Sequence, residues 1–319
     1  MSDKRPQAEL RDFALVLGGL ALLRVAIGFL PVPTSFLVTA SLLVSAVFVA
    51  APILALYRGA AHPWGLRSAG MLLGAGAITH IVCALAVARM QQGLGLALLG
   101  AVGQAGLVCW CLGLGAIVAG LLKDRNLLLP VAIFLAFLDI FLVATPVAPT
   151  TRLIQARKEQ FAQIAYTVPK PEAVPQSGRA RTLAYVGPAD FFILATFFVA
   201  IHRFRMRSRE TLLVIVPTLI GYLLIVLLLG GVRVGGVSLA QLPALLPIGA
   251  VVLIVNRREF KLTRDEKVAT LAVAGLGLLL VIWGATRRAP QAAPLPPGLG
   301  QAPTGSAGLH APEPPDRPR

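Results

Sequence analysis

The sequence predicts an all-α fold, a polytopic transmembrane helical bundle of about nine spans. Of its 319 residues, 56% are hydrophobic and only 13% are charged. The apolar residues are gathered into blocks of roughly 18 to 29 residues, and a helix of about 20 residues is long enough to cross a bilayer. Lysine and arginine fall almost wholly in the breaks between these blocks, whereas a soluble domain would interleave its charges with its core.

Nine apolar segments follow one another along the chain, and each one predicts a membrane-spanning helix. In order, the predicted spans are Phe13–Leu30, Ser35–Tyr57, Ala69–Ala88, Leu94–Leu122, Leu127–Thr145, Thr182–Ile201, Thr211–Leu229, Ser238–Val255 and Val268–Thr286.

The net charge of +15 is interpreted as a signal of topology. Alternating the spans from a cytoplasmic N-terminus places most of the basic loops in the cytoplasm, as the positive-inside rule requires. The exception is the connection 146–181, which falls outside although it carries six basic residues. Because the basic residues are dispersed over short loops, nucleic-acid binding is not expected. We expect an integral protein of the cell (plasma) membrane, in contact with the lipid bilayer.

Composition also predicts the organisation of the chain. The connection between the fifth and sixth spans contains an amphipathic stretch, Thr151–Tyr166, and then a linker with three prolines, and we expect both to lie on the membrane surface. The predicted parts are N-terminal membrane helices over 1–126, a membrane core over 127–255 that includes the loop 146–181, one extra C-terminal helix over 256–287, and a disordered Pro-rich tail over 288–319.

Several polar side chains inside the spans are interpreted as structural. His80 and Gln104 are expected to form hydrogen bonds between helices, and Arg24 to face other helices or reach the interface. Cys109 and Cys111 would point away from each other on a helix, so the pattern indicates neither a disulfide nor a zinc site. The sequence implies no metal and no organic cofactor.

Two aspartates stand where a bilayer tolerates them least. Asp139 and Asp190 are the only acidic residues, among 14 in the chain, that fall inside long apolar segments. Intramembrane carboxyls are costly and usually functional. At 1.5 Å per helical residue, Asp139 would lie roughly 9 Å and Asp190 roughly 12 Å from one membrane face, because successive spans are antiparallel.

A shared depth predicts a specific chemistry for this pair. Two carboxyls that face each other across a small wet cavity cannot both ionise easily, so they hold one proton between them near neutral pH. In such a pair, one carboxylate can take a proton from water while the neutral partner polarises a carbonyl. Asp139 and Asp190 are therefore candidate catalytic residues for hydrolysis.

A third element follows in the eighth span, and the three together resemble a known family. The elements are Leu138-Asp139, Gly187-Pro188-Ala189-Asp190 and Pro243-Ala244-Leu245. Their order and spacing resemble those of the presenilin and signal peptide peptidase family of intramembrane aspartyl proteases. Members of that family carry Tyr-Asp, then Gly-x-Gly-Asp, then Pro-Ala-Leu. The resemblance covers roughly Leu127 to Val255.

The resemblance implies an aspartic endopeptidase that cleaves within transmembrane segments, with Asp139 and Asp190 as its catalytic pair. Its substrates would be single-span membrane proteins or signal peptides whose N-termini face the cytoplasm, while partner subunits stay unidentified. The residues implied to shape the substrate-binding edge are Gly187, Pro188, Ala189, Pro243, Ala244 and Leu245.

Physical reasons support these assignments. Gly187 and the small Ala189 would let backbone or substrate approach the second aspartate closely. Pro188 suits the first turn of a helix. Pro243 and Pro247 each remove a backbone donor, and the carbonyls left unpaired are tolerable only beside a polar cavity. An unwound substrate segment could pair with exposed backbone there.

Other functions fit the same charges. In a transporter for small solutes, the two aspartates would relay protons or bind a cation, although paired repeats are not visible in the sequence. A prepilin peptidase shares a Gly-x-Gly-Asp element, but the chain lacks the cytoplasmic cysteine pairs of that family. A catalytically inactive membrane scaffold is a further alternative, because Leu138 replaces the family tyrosine and Ala189 replaces the second glycine.

Overall fold

The computed structural model describes residues 4–145, 163–175, 178, 181–229, 233–234, 237–238 and 244–287. In this part of the chain, nine α-helices form the architecture. The helices are α1 (Lys4–Ile27), α2 (Leu37–Ala60), α3 (Leu66–Arg89), α4 (Leu94–Leu121), α5 (Leu128–Ala144), α6 (Pro188–Arg203), α7 (Ser208–Leu229), α8 (Leu245–Asn256) and α9 (Arg264–Thr286).

Six of these helices are long and apolar enough to cross a membrane, namely α2, α3, α4, α5, α7 and α9. Their mean hydropathy lies between 1.8 and 2.7. Many large apolar side chains on their outer surfaces are exposed, as is expected of residues that face lipid. The chain is therefore an integral membrane protein built mainly from helices, as the sequence predicts.

Two short antiparallel hairpins interrupt the helical fold. Strand β1 (Tyr166–Lys170) pairs with β2 (Arg181–Val186), and β3 (Arg233–Val234) pairs with β4 (Val237–Ser238). The predicted sixth span therefore begins too early, because α6 starts at Pro188. The predicted eighth span also begins too early, because α8 starts at Leu245.

The first strand of the hairpin, β1, lies inside the protein, whereas β2 is partly exposed. Tyr166, Val168 and Pro169 are buried against the helices, and the aromatic and β-branched residues of both strands favour extended structure. The expectation of a linker on the membrane surface is thus wrong for 166–170. Most of the predicted amphipathic stretch, residues 151–162, lies outside the described residues, and so does the predicted tail from residue 288 onward.

Helices α3 and α4 form the closest helix pair, and glycines allow their approach. A Cβ atom on Gly106 would lie 2.9 Å from the carbonyl oxygen of Gly76 and 3.0 Å from the nitrogen of His80. At Gly113, a Cβ atom would lie 2.5 Å from the nitrogen of Leu73. Small residues at such positions let backbones pack together, which drives helix association in a membrane.

We expect Gly113→Ala to destabilise the protein. The new methyl group would overlap the backbone of α3, and overpacking of this kind costs about 1–3 kcal/mol. Thermal unfolding of the purified protein in detergent measures the effect. Gly120→Ala on the same helix is the matched control, because a Cβ atom there meets nothing within 4 Å. Equal loss of stability in both variants would contradict the close packing.

Two predicted structural side chains take part in this core. The Nδ1 atom of His80 lies 2.9 Å from the carbonyl oxygen of Gly103, so the predicted hydrogen bond between helices is confirmed. The side chain of Gln104 instead binds the backbone next to and within β1. Its Nε2 donates to the carbonyl oxygen of Ala165 at 3.2 Å, and its Oε1 accepts from the N–H of Thr167 at 3.0 Å.

Helix α6 passes through the centre of the bundle and is almost wholly buried beyond its first turn. It packs closely on α4, where a Cβ atom on Gly115 would lie 2.7 Å from the Cβ of Ala195. At the other end of α6, Arg203 donates hydrogen bonds to the last carbonyl oxygens of α4, including that of Ala119 at 2.6 Å. These contacts fix α6 along its length.

The last helix, α9, packs along α5. A Cβ atom on Gly277 would lie 2.8 Å from the Cβ of Phe137, and one on Gly284 would lie 2.7 Å from the ring of Phe141. The ring of Trp283 also contacts Phe141, with centroids 6.1 Å apart. The glycines thus form notches that receive the two phenylalanines of α5.

A polar network joins the start of α5 to the start of α9. The Nδ2 of Asn126 donates to the carbonyl oxygen of Lys261 and to Oε1 of Glu266, both at 3.1 Å. Glu266 also caps α9, because it accepts the N–H of Thr263 at 2.7 Å. The two helices are therefore held together at this end as well as along their glycine notches.

Candidate active site

Asp139 lies on α5 and is buried, with 8% of its surface exposed. Its Oδ2 atom accepts a hydrogen bond from the backbone N–H of Leu245 at 2.7 Å. Leu245 is the first residue of α8, where backbone N–H groups have no partner within the helix. The carboxyl group therefore satisfies a backbone donor at the N-terminus of α8.

This contact joins the first aspartate to the predicted third motif. Ala244 is the N-cap of α8, and Leu245 follows it. A Cβ atom on Gly249, one turn further on, would lie 3.3 Å from the carbonyl oxygen of Ala132, so α8 lies close against α5. Pro243, which we predicted in this motif, lies outside the described residues.

The predicted effect of Pro247 is wrong. This proline lies in the first turn of α8, where a helix does not use the backbone N–H. It therefore starts the helix smoothly and leaves no carbonyl group of α8 unpaired. The backbone N–H of Leu245 is available to Asp139 because α8 begins at that residue. The hydrogen bond therefore requires no break within the helix.

Asp190 lies in the first turn of α6 and is partly buried. The sequence prediction placed it about eight residues inside a helix, which is wrong because the hairpin occupies the residues before Gly187. Gly187 is the N-cap and Pro188 the first helical residue. The carboxyl group of Asp190 accepts the backbone N–H of Gly187, as in a capping box.

Close approach explains the glycine of this motif. A Cβ atom on Gly187 would lie only 3.2 Å from Oδ2 of Asp190. Any larger residue would push against the carboxyl group and change its direction. Ala189 is exposed at the start of α6, so its side chain leaves the entrance to Asp190 open. The expectation that small residues permit close approach is therefore supported at Gly187.

The fold places the two carboxyl groups within electrostatic range of each other. Helices α5 and α6 make few direct contacts in the described part of the chain, and α8 packs on both of them. Helix α4 also packs on α6, where Cys111 donates to the carbonyl oxygen of Pro188 at 3.4 Å.

Sequence analysis did not identify Tyr222 as part of this site. It lies on α7, and its phenol interacts electrostatically with both Asp139 and Asp190. A tyrosine within a predicted apolar span gives little signal in the sequence, since tyrosines are common at the ends of membrane helices. Its position matters because Leu138 leaves no hydroxyl beside Asp139.

Comparison with protein-family models, with curated proteins and with solved structures finds no match for this chain. Among the described residues, no group of three or more His, Cys, Asp or Glu side chains is arranged to hold a metal ion. The groups available for chemistry at this site are the two carboxyl groups, the backbone N–H groups of Gly187 and Leu245, and the phenol of Tyr222.

Proposed function

We propose that the protein is an intramembrane aspartyl protease that hydrolyses peptide bonds within transmembrane segments. The observation that carries this proposal is the placement of Asp190 within electrostatic range of the buried Asp139, whose Oδ2 accepts the backbone N–H of Leu245. Water and a pair of carboxyl groups are sufficient for the reaction, so the proposal requires no metal or organic cofactor.

In the proposed reaction, the pair begins with one shared proton. The ionised carboxylate takes a proton from a water molecule, whose oxygen attacks the scissile carbonyl carbon while the protonated carboxyl group donates to the carbonyl oxygen. The tetrahedral intermediate, which carries two hydroxyl groups, then breaks its carbon–nitrogen bond. The carboxyl group that took the proton from water gives it to the leaving amine, while the other carboxylate takes a proton from one hydroxyl group, which forms the new carboxyl product and restores the single shared proton. The N–H groups of Gly187 and Leu245 hold the carboxyl groups in place during these steps.

The strand β2 supports a way of binding an unwound substrate. In the described residues it pairs with β1 along one edge only, and it runs directly into Gly187. An extended peptide could add to a free strand edge through main-chain hydrogen bonds. This would present its backbone to the carboxyl pair. We propose single-span membrane proteins and signal peptides as substrates, with Gly187, Ala189 and Leu245 lining the approach.

The proposed location is the plasma membrane, with the N-terminus in the cytoplasm. The distribution of basic residues supports this orientation. This orientation would select substrates whose own N-termini face the cytoplasm. A substrate of the opposite orientation would present its peptide chain to the carboxyl pair in the reverse direction.

The experiment that tests the proposal is cleavage of a panel of single-span substrates by the purified full-length protein in proteoliposomes. Mass spectrometry of the products locates the cut, and we expect it within the hydrophobic segment. In water enriched in oxygen-18, each new C-terminal carboxylate should gain one labelled atom. Proton-coupled solute uptake without cleavage, lost when either aspartate is replaced, would instead support a transporter.

We expect Tyr222→Phe to reduce kcat/KM roughly tenfold, which is the size of effect that follows from loss of one hydrogen bond near charged groups. The variant keeps the ring and its packing and removes only the hydroxyl. The matched control is Tyr57→Phe, because Tyr57 contacts Phe198 and His202 toward the other end of α6.

A second variant tests whether Tyr222 replaces the family tyrosine. If the phenol of Tyr222 supplies the hydroxyl that Leu138 lacks, then Leu138→Tyr should restore part of the activity of the Tyr222→Phe protein. Parental activity in Tyr222→Phe would contradict a role for this hydroxyl.

A further inference from the structure

The C-terminal end of α1 and the segment after it bind the β1–β2 hairpin at three points. Arg24 donates hydrogen bonds to Oγ1 of Thr167 at 2.7 Å and to the carbonyl oxygen of Thr167. Further along, the carbonyl oxygen of Gly28 accepts the N–H of Gly178 at 3.0 Å. The N–H of Val32 donates to the carbonyl oxygen of Glu172 at 3.0 Å.

Arg24 makes the most extensive of these contacts. Its guanidinium group lies over two aromatic rings, with its central carbon 5.2 Å from the ring centroid of Phe48 on α2 and 5.3 Å from that of Tyr166 on β1. Such cation–π contacts strengthen when water is excluded. One side chain of α1 therefore joins α1, α2 and β1.

The cation of Arg24 is half-buried. None of the ion pairs among the described residues includes Arg24, and the contacts of its guanidinium group described above are a hydroxyl, a carbonyl and two aromatic side chains. Burial of a charge without a counter-ion is costly.

Two routes lead from Arg24 to Asp190. Through the strand pairing, Tyr166 lies opposite Val186, the residue before Gly187, and Thr167 lies opposite Tyr185. Through the side chains, the ring of Tyr166 packs edge-on against Phe191, with centroids 5.0 Å apart. Phe191 directly follows Asp190 in the chain, so both routes end at the first turn of α6.

We infer that Arg24 is a positioning residue, which fixes β1 against α1 and α2 and thereby sets the place and direction of Asp190. The expected effect of Arg24 on catalysis rests on the proposed function, whereas its effect on the placement of Asp190 does not. The guanidinium group acts through Thr167 and Tyr166 and does not touch the substrate. Gln104 holds the same strand from the side of α4 and completes its support.

The test compares Arg24→Gln, Arg24→Lys and Thr167→Val with the full-length parent. Arg24→Gln removes the charge and the forked donor, Arg24→Lys keeps the charge alone, and Thr167→Val removes only the hydroxyl acceptor. The matched control is Arg58→Gln, since Arg58 donates to Asp12 at 2.9 Å in an exposed ion pair on α2. Hydrogen exchange of peptides covering 166–191 and substrate kinetics are measured for each.

We expect Arg24→Gln to raise amide exchange in 166–191 severalfold, while exchange in α3 stays at the parental rate. In the same variant kcat should fall by about a hundredfold with little change in KM, which is the effect expected when a catalytic group is displaced by about 1 Å. Arg24→Lys should recover part of the loss. Thr167→Val should shift both measurements in the same direction but less, and the double variant should be no worse than Arg24→Gln alone.

Parental exchange in Arg24→Gln would overturn the inference, and so would faster exchange with parental kcat. If the parent cleaves no substrate, the proposed function fails. In that case exchange at the amides of 187–191 still shows whether Arg24 controls the placement of Asp190. Should Arg24→Gln fail to fold, Thr167→Val and Arg24→Lys decide the question by the same two measurements.

Discussion

Replacing either Asp139 or Asp190 with asparagine should reduce kcat by roughly a thousandfold, because each change removes one partner of the acid–base pair. Asparagine has nearly the same shape and still offers an oxygen atom. The N–H of Leu245 would therefore keep an acceptor, and the fold should be retained. Cleavage of a single-span substrate by purified protein in proteoliposomes measures the effect.

The matched control for these two variants is Asp265→Asn, which changes an exposed aspartate in the first turn of α9. This variant should cleave at the parental rate. Because the two catalytic carboxyl groups act as a unit, the double variant should be hardly less active than either single one. Turnover in Asp139→Asn or Asp190→Asn equal to that of the parent would disprove the protease assignment.

Gly187→Val should reduce kcat/KM by about a hundredfold, since a catalytic group displaced by about 1 Å can cost that much. A Cβ atom would lie 3.2 Å from Oδ2 of Asp190, and the two methyl groups of valine would add further contacts on the same side. The carboxyl group would then have to move from its present position, while the first turn of α6 could still form.

Gly65→Val gives a close comparison for this prediction. Gly65 is also the N-cap of a helix, with an extended backbone like that of Gly187, but a Cβ atom there meets only Oγ of Ser68, at 3.8 Å. Both variants should show parental circular dichroism, and only Gly187→Val should lose activity. If both lose activity equally, the contact with Asp190 is not the cause.

Hydropathy predicted the approximate place of the helices, because a run of about 20 apolar residues has few alternatives in a bilayer. It predicted about nine spans, whereas six of the nine helices in the described residues are long and apolar enough to cross a membrane. It failed where a strand adjoins a span. Thr182–Val186 is nearly as apolar as α6, so the two segments read as one span. A strand can occupy this position as well as a helix can, because its backbone groups are paired with another strand. The sequence of the strand alone does not indicate that pairing.

Only part of the candidate site was predicted from the sequence. Asp139 and Asp190 stand out because their environment penalises charge, and the backbone donor of Leu245 lies within the predicted third motif. The roles of Arg24 and Tyr222 depend on contacts with residues far away in the sequence. Arg24 and Thr167, for example, are 143 residues apart. A single sequence does not indicate such pairs.

The notches of α9 have a consequence for access to the proposed site. Gly277 and Gly284 hold the last helix against Phe137 and Phe141, which lie on either side of Asp139 along α5. That flank of α5 is therefore closed to any helix that arrives laterally from the lipid. Under the proposed function, a transmembrane substrate would have to reach Asp139 from another side of α5, so a bulky reagent attached to the outer surface of α9 should not exclude substrates.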